Sequence, residues 1–158
     1  MKLQYHLTAV AVLLVLAFAA SAQESAFKTG QAMYVVAVKS SKQPDLSIER
    51  KLKDEFEKHK SFKMATSLQS ADFVFLMVVE YEFNQVMINN IGAGVEDVKS
   101  VEAFVVTPDE YARHKADLDN LRRKALWQNS ENNNARRTSN LPKKVVNKFH
   151  EDAGAKKP

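Results

Sequence analysis

The 158-residue chain contains no cysteine, only four glycines and four prolines, and a single tryptophan. Without cysteine it has no disulfide, thiol nucleophile, iron–sulfur cluster or zinc–thiolate site. It also lacks the lipidated cysteine that a bacterial lipoprotein requires. There is no N-x-[ST] sequon. What is present, 45% hydrophobic and 27% charged residues with a formal charge of +4, fits one globular domain rather than a disordered or fibrous chain.

The amino terminus is unlike the rest. Lys2 precedes Leu7–Ala20, an uncharged run of 14 residues, and Ala20-Ser21-Ala22 then supplies an A-x-A pattern. This is the signature of a secretory signal peptide, residues 1–22, with cleavage after Ala22. An uncleaved anchor helix is the rival reading, but a span needs about 20 apolar residues. The expected mature chain is Gln23–Pro158, with a single domain over residues 23–150, a flexible tail over 151–158 and no further transmembrane segment. At this size a core is feasible without disulfides. An exported chain without cysteine suits a bacterial envelope, periplasmic or secreted, because small eukaryotic secreted domains tend to be disulfide-dense.

Met33–Lys39 is β-branched and predicts a buried strand. Over Ser47–His59 the period changes: Ile48, Leu52 and Phe56 recur every four residues, with Glu49/Lys53 and Lys53/Glu57 on other faces, and Asp45 or Ser47 can cap the helix. Phe62–Thr66 alternates as a short strand, and Leu68–Asp72 reads as a turn or a single helical turn. Phe73–Phe83 opens with seven apolar residues, as in a central strand covered on both faces, then alternates. Gln85–Lys99, with Asn89-Asn90 and Gly92-Ala93-Gly94, predicts a long hairpin tip before a returning strand at Ser100–Val106. Thr107-Pro108-Asp109-Glu110 is a capping box with proline at the first helical position. From there either one helix runs to about Trp127, or a shorter helix precedes an edge strand at Lys124–Gln128; the second is preferred. Residues 128–140 read as a mobile polar loop, and Leu141–Glu151 as a helix with Leu141, Val145 and Phe149 on one face. The order implies an α+β, two-layer sandwich: a mixed four- or five-stranded sheet with helices packed mainly on one face.

The stretch from Met33 to Val106 resembles small exported bacterial envelope domains, namely the TolB amino-terminal domain and the periplasmic domains of outer-membrane assembly lipoproteins. The residues that carry it are Val35–Val38, the helix face Leu52/Phe56, and Ser70-Ala71-Asp72 running into Phe73-Val74-Phe75-Leu76. The likeness covers about half of the mature chain, and Tyr111–Asn140 departs from it. It implies a non-catalytic, protein-binding or assembly role.

Candidate chemistry is sparse. His59, His114 and His150 lack the spacing that sets two metal ligands on one helix face, and are expected at solvent-exposed helix ends. Glu80, Glu82 and Glu102 can share one sheet face, where a desolvated member would serve as a general acid. No nucleophile or oxyanion loop accompanies them, and Gly92-Ala93-Gly94 lacks a phosphate-cradling pattern. Charge is more telling: residues 23–110 carry −4 and residues 111–158 carry +7. The positives cluster as Arg122-Arg123-Lys124, Arg136-Arg137 and Lys143-Lys144, a pattern that attracts acidic partners. Nucleic acid is not expected, since stacking platforms are few. The expectation is an exported non-enzymatic domain, without metal or cofactor, that binds an envelope protein or anionic surface through its basic C-terminal third. The alternative is a small hydrolase or metal-dependent enzyme working from the Glu80/Glu82 face.

Overall fold

A computed structural model describes residues 27–88, 91–132 and 140–153. The proposed signal peptide, Arg136-Arg137 and residues 154–158 lie outside that set. The chain runs β1 (Ala32–Lys39), α1 (Leu46–His59), β2 (Lys63–Met64), a 3-10 turn (Leu68–Ser70), β3 (Phe73–Ile88), β4 (Ile91–Val106), α2 (Pro108–His114), α3 (Leu118–Arg123), β5 (Trp127–Asn132) and α4 (Leu141–Asp152). The five strands form one mixed sheet in the order β2-β1-β3-β4-β5. β1 is parallel to β2 and β3, whereas β3/β4 and β4/β5 are antiparallel. The fold is therefore the expected α+β sandwich. Its two longer helices share one face, and the short α2 and α3 cover part of the other.

Strand alternation divides the core. Met33, Val35 and Ala37 of β1 and Phe73, Phe75, Met77 and Val79 of β3 face α1 and α4. There Ile48, Leu52 and Phe56 of α1 meet Val145 and Phe149 of α4, and the Phe56 ring stands edge-on to Phe75 at 4.9 Å. Val74, Leu76 and Val78 face the other way, toward Phe104, Val106 and Leu121 of α3. β3 is thus buried on both sides over the stretch where its sequence is continuously apolar. Asp45, not Ser47, caps α1: its Oδ1 accepts from the Ile48 amide at 3.1 Å. Thr107 caps α2 as expected, accepting from the Glu110 amide at 3.3 Å.

Two segments differ from expectation. Residues 85–88 and 91–99 are strand rather than hairpin tip, because the ladder continues to Ile88↔Ile91. The glycines and asparagines suggested a loop, but they are interleaved with Val86, Met87, Ile88 and Val95, which favour extended backbone. The turn Asn89-Asn90 lies outside the described residues. The second correction concerns the polar stretch. Residues 127–132 form β5, later than the predicted Lys124–Gln128 and inside the predicted 128–140 loop. Pairing with β4 from Val105↔Trp127 to Ser100↔Asn132 supplies the backbone bonds that a free loop would take from water. The strand is half-buried on alternate residues, and its polar character suits a sheet edge. Residues 133–139 lie outside the described set.

Candidate functional site

The β3–β4 hairpin is longer than the sheet that holds it. β1 stops pairing at Lys39↔Val79, and β5 stops at Ser100↔Asn132. From Tyr81↔Val98 to Ile88↔Ile91 the two strands pair with each other alone among the described residues. Eight residues per strand, at about 3.3 Å each, give an arm of roughly 26 Å. A bulge marks its root, where Lys99 is the extra residue between Glu80↔Ser100 and Tyr81↔Val98. That extra residue lets Val98 and Val101 enter the same core face, and it sets Lys99 Nζ and Ser100 Oγ each 2.8 Å from the Glu80 carboxylate.

The root is tied down. The Tyr81 hydroxyl donates to the Asp45 carboxylate that caps α1, and burial beside that carboxylate pushes the phenol pKa up. Lys39 Nζ lies 4.8 Å over the Tyr81 ring and 3.3 Å from Glu96 on the opposing strand. Just beyond, Phe83 is 72% exposed. Residues 84–95 contain no charged residue and no proline, in a chain that is 27% charged. Sequence reasoning missed the arm because its signal is a length mismatch between strands, which only topology reveals.

The predicted carboxylate face exists but is ion-paired. The bonds from Lys99 and Ser100 hold Glu80 below the usual carboxylate range, the opposite of what a general acid needs. Glu102 receives Arg122 Nε at 2.8 and 2.9 Å and Nη2 at 2.6 Å. Glu82 follows Glu80 along the arm root. Beside Glu102 lies a polar recess of about 290 Å³, lined also by Gln128, Asn129 and Ser130, with no histidine in it among the described residues.

Among the described residues the predicted basic side chains are carried by two helices, α3 and α4. Arg122 is held between Glu102 and Asp119, and Arg123 Nε donates to the Asp119 carbonyl at 3.3 Å. Lys124 is the exposed C-cap of α3. α3 buries Leu121 against one face of the sheet, whereas α4, which carries the exposed Lys143 and Lys144, packs on the other. Arg136 and Arg137 lie outside the described residues.

His59 and His114 end α1 and α2, partly exposed, whereas His150 departs from expectation. His150 is 2% exposed and stacks on His59 at 4.0 Å, wedged against Phe56 and Phe62, with neither ring nitrogen hydrogen-bonded among the described residues. Burial first, and then His59, push its pKa down to about 4. His59 Nε2 lies 3.0 Å from Asn147 Oδ1. His114 pairs with Glu110 one turn away at 3.5 Å. Among the described residues no three His, Asp or Glu side chains gather as a metal site, and no helix is long and apolar enough to cross a membrane.

A groove of about 590 Å³ opens over the outer end of β1, between Tyr34 and Tyr111.

No family model and no curated protein matches the chain. Among solved structures it is similar to the PelC dodecamer from Paraburkholderia phytofirmans, at 15% identity and TM-score 0.46, over 83% of this chain and 92% of that one. It is also similar to a leucine-to-methionine variant of that dodecamer, at 11% identity and TM-score 0.43, over 82% and 92% of the two chains. A putative neuraminyllactose-binding hemagglutinin homolog from Helicobacter pylori aligns at 10% identity and TM-score 0.35, over 87% and 89%.

Proposed function

We propose that this chain is an exported, non-enzymatic binding domain that docks on an envelope protein by strand pairing along its β3–β4 arm. The arm carries the proposal. Past the ends of β1 and β5 its two strands form ladder pairs with each other among the described residues, and a two-stranded ribbon is marginally stable alone in water. Proteins ordinarily protect strand edges with charge or proline, and residues 84–95 have neither. An uncharged, proline-free ribbon of this kind suits a partner strand, whose main-chain bonds give affinity and whose alternate side chains give selectivity. The tethers at Tyr81, Asp45, Lys39 and Glu96 set the arm's angle and so lower the ordering cost of binding. The signal-like first 22 residues support delivery to the envelope, and the ion-paired Glu80 and Glu102 weigh against the hydrolase alternative.

The test is a photoactivatable residue in place of Phe83 in the full-length chain, expressed in cells, with the same residue in place of Lys58 on α1 as control. A discrete adduct from position 83 alone, abolished when residues 84–95 are replaced by a two-residue turn, supports the proposal. Adducts from Lys58 and none from position 83 would overturn it.

One observation favours contact with an anionic surface as a second mode. Lys143 and Lys144 sit exposed in the first turn of α4, which has no acidic residue and no side-chain cap. Cations there oppose the helix dipole, so they do not serve helix stability.

A further inference from the structure

We infer that the groove over β1 is a binding site for a flat apolar molecule carrying a single anionic group, an aromatic carboxylate or sulfonate in chemical class. The groove exists because the second face of the sheet is unevenly covered. Val74, Leu76 and Val78 of β3 are buried beneath α2 and α3. Their neighbours on the same face of β1, Tyr34, Val36 and Val38, pack at the margin of this cluster and are only half-buried. The result is a cavity of about 590 Å³ with an apolar floor, within the roughly 300–1,000 Å³ range of small-molecule sites.

Its walls supply orientation. Tyr111 of α2, Leu68 and Pro44 line the groove. Lys42 stands in the left-handed conformation at φ 68°, and its Nζ donates to the Ala116 carbonyl at 2.7 Å, which ties the turn after β1 to the segment after α2. Lys115 is the second ammonium on the lining. Glu49 is the only acid there among the described residues, and Lys53 Nζ holds it at 2.6 Å. The lining thus presents two ammonium groups against one carboxylate that is already paired, beside two phenols able to donate hydrogen bonds. An apolar body would cover the valine floor between the aromatic rings, and its anionic group would reach the lysines. This site is separate from the arm, and it stands whether or not the arm binds a protein.

The test uses 8-anilinonaphthalene-1-sulfonate with the folded chain from Gln23 onward at neutral pH. Saturable binding at one molecule per chain is expected, with amide NMR shifts confined to residues 34–49, 67–69 and 111–116. Val36→Trp, which fills the floor, should abolish the fluorescence gain. Lys42→Glu with Lys115→Glu should weaken binding at least tenfold, while the uncharged N-phenyl-1-naphthylamine should lose much less. Tyr111→Ala provides a second route should Val36→Trp unfold the chain. Binding that survives both floor and wall variants in folded protein, or shifts that map elsewhere, would overturn the inference.

Discussion

Lowering the pH should destabilise this domain through one buried side chain. His150 lies in α4 at 2% exposure, stacked on His59 and packed against Phe56 and Phe62, and its ring is neutral in the folded state because burial and His59 hold its pKa at about 4. In the unfolded chain the same imidazole titrates near 6.5. The sign follows from which state binds the proton. Between pH 6.5 and 4 the unfolded chain takes it up and the folded chain does not, so folding stability falls as pH falls across that window. Linkage puts the loss at about 2 kcal/mol by pH 5 and about 3 kcal/mol by pH 4, a large share of the 5–15 kcal/mol typical of a domain. Urea melts of the chain from Gln23 onward at pH 7.5 and pH 5 measure it. His150→Phe keeps a ring among the neighbouring aromatics and removes the titrating group, and His150→Leu is the smaller alternative. Either variant should lose about 2 kcal/mol less than wild type between the two pH values. Carboxylates with lowered pKa, such as Asp152, also cost stability in acid, but they do so equally in both proteins. If wild type and both variants fall in parallel, the ring is not held neutral by burial.

Leu76→Ala should cost about 2–5 kcal/mol in a urea melt, because Leu76 is 1% exposed beneath the short helices. Thr107→Ala should cost about 0.5–2 kcal/mol through the lost cap on α2. Asp45→Ala removes both the α1 cap and the acceptor for Tyr81 and should cost about 1–3 kcal/mol, while Asp45→Asn retains the cap and should lose less. Heparin retention should fall steeply with salt and fall further in Lys143→Ala/Lys144→Ala; flow-through at low salt would remove the anionic-surface mode.

The elements most legible in the sequence were those where one local signal dominated. The seven apolar residues from Phe73 marked a doubly covered strand, the Ile48/Leu52/Phe56 face marked α1, and Thr107-Pro108 marked the start of α2. β5 was misplaced because an edge strand draws its stability from backbone pairing with β4 and needs little hydrophobicity of its own. His150 was expected in water because sequence periodicity alone did not show that its side of α4 meets the end of α1 at His59. The spatial distribution of the basic third was not legible either, because it depends on which face each helix covers: α3, with Arg122 and Arg123, packs on one face of the sheet and α4, with Lys143 and Lys144, on the other. The arm and the groove were invisible for a common reason. Each is defined by where neighbouring elements lie, β1 and β5 for the arm, β1 and α2 for the groove.

Hydrogen–deuterium exchange of the arm amides decides most directly whether the protein works by strand pairing. In the purified chain from Gln23 onward, amides from residues 82–97 should exchange within seconds, while those of Val74–Val79 stay protected by orders of magnitude. Adding a detergent-solubilised envelope fraction from the source cells should slow exchange in the arm and leave the rest of the sheet unchanged. Arm amides already slow in the monomer, or unaltered by the envelope fraction, would contradict the proposal.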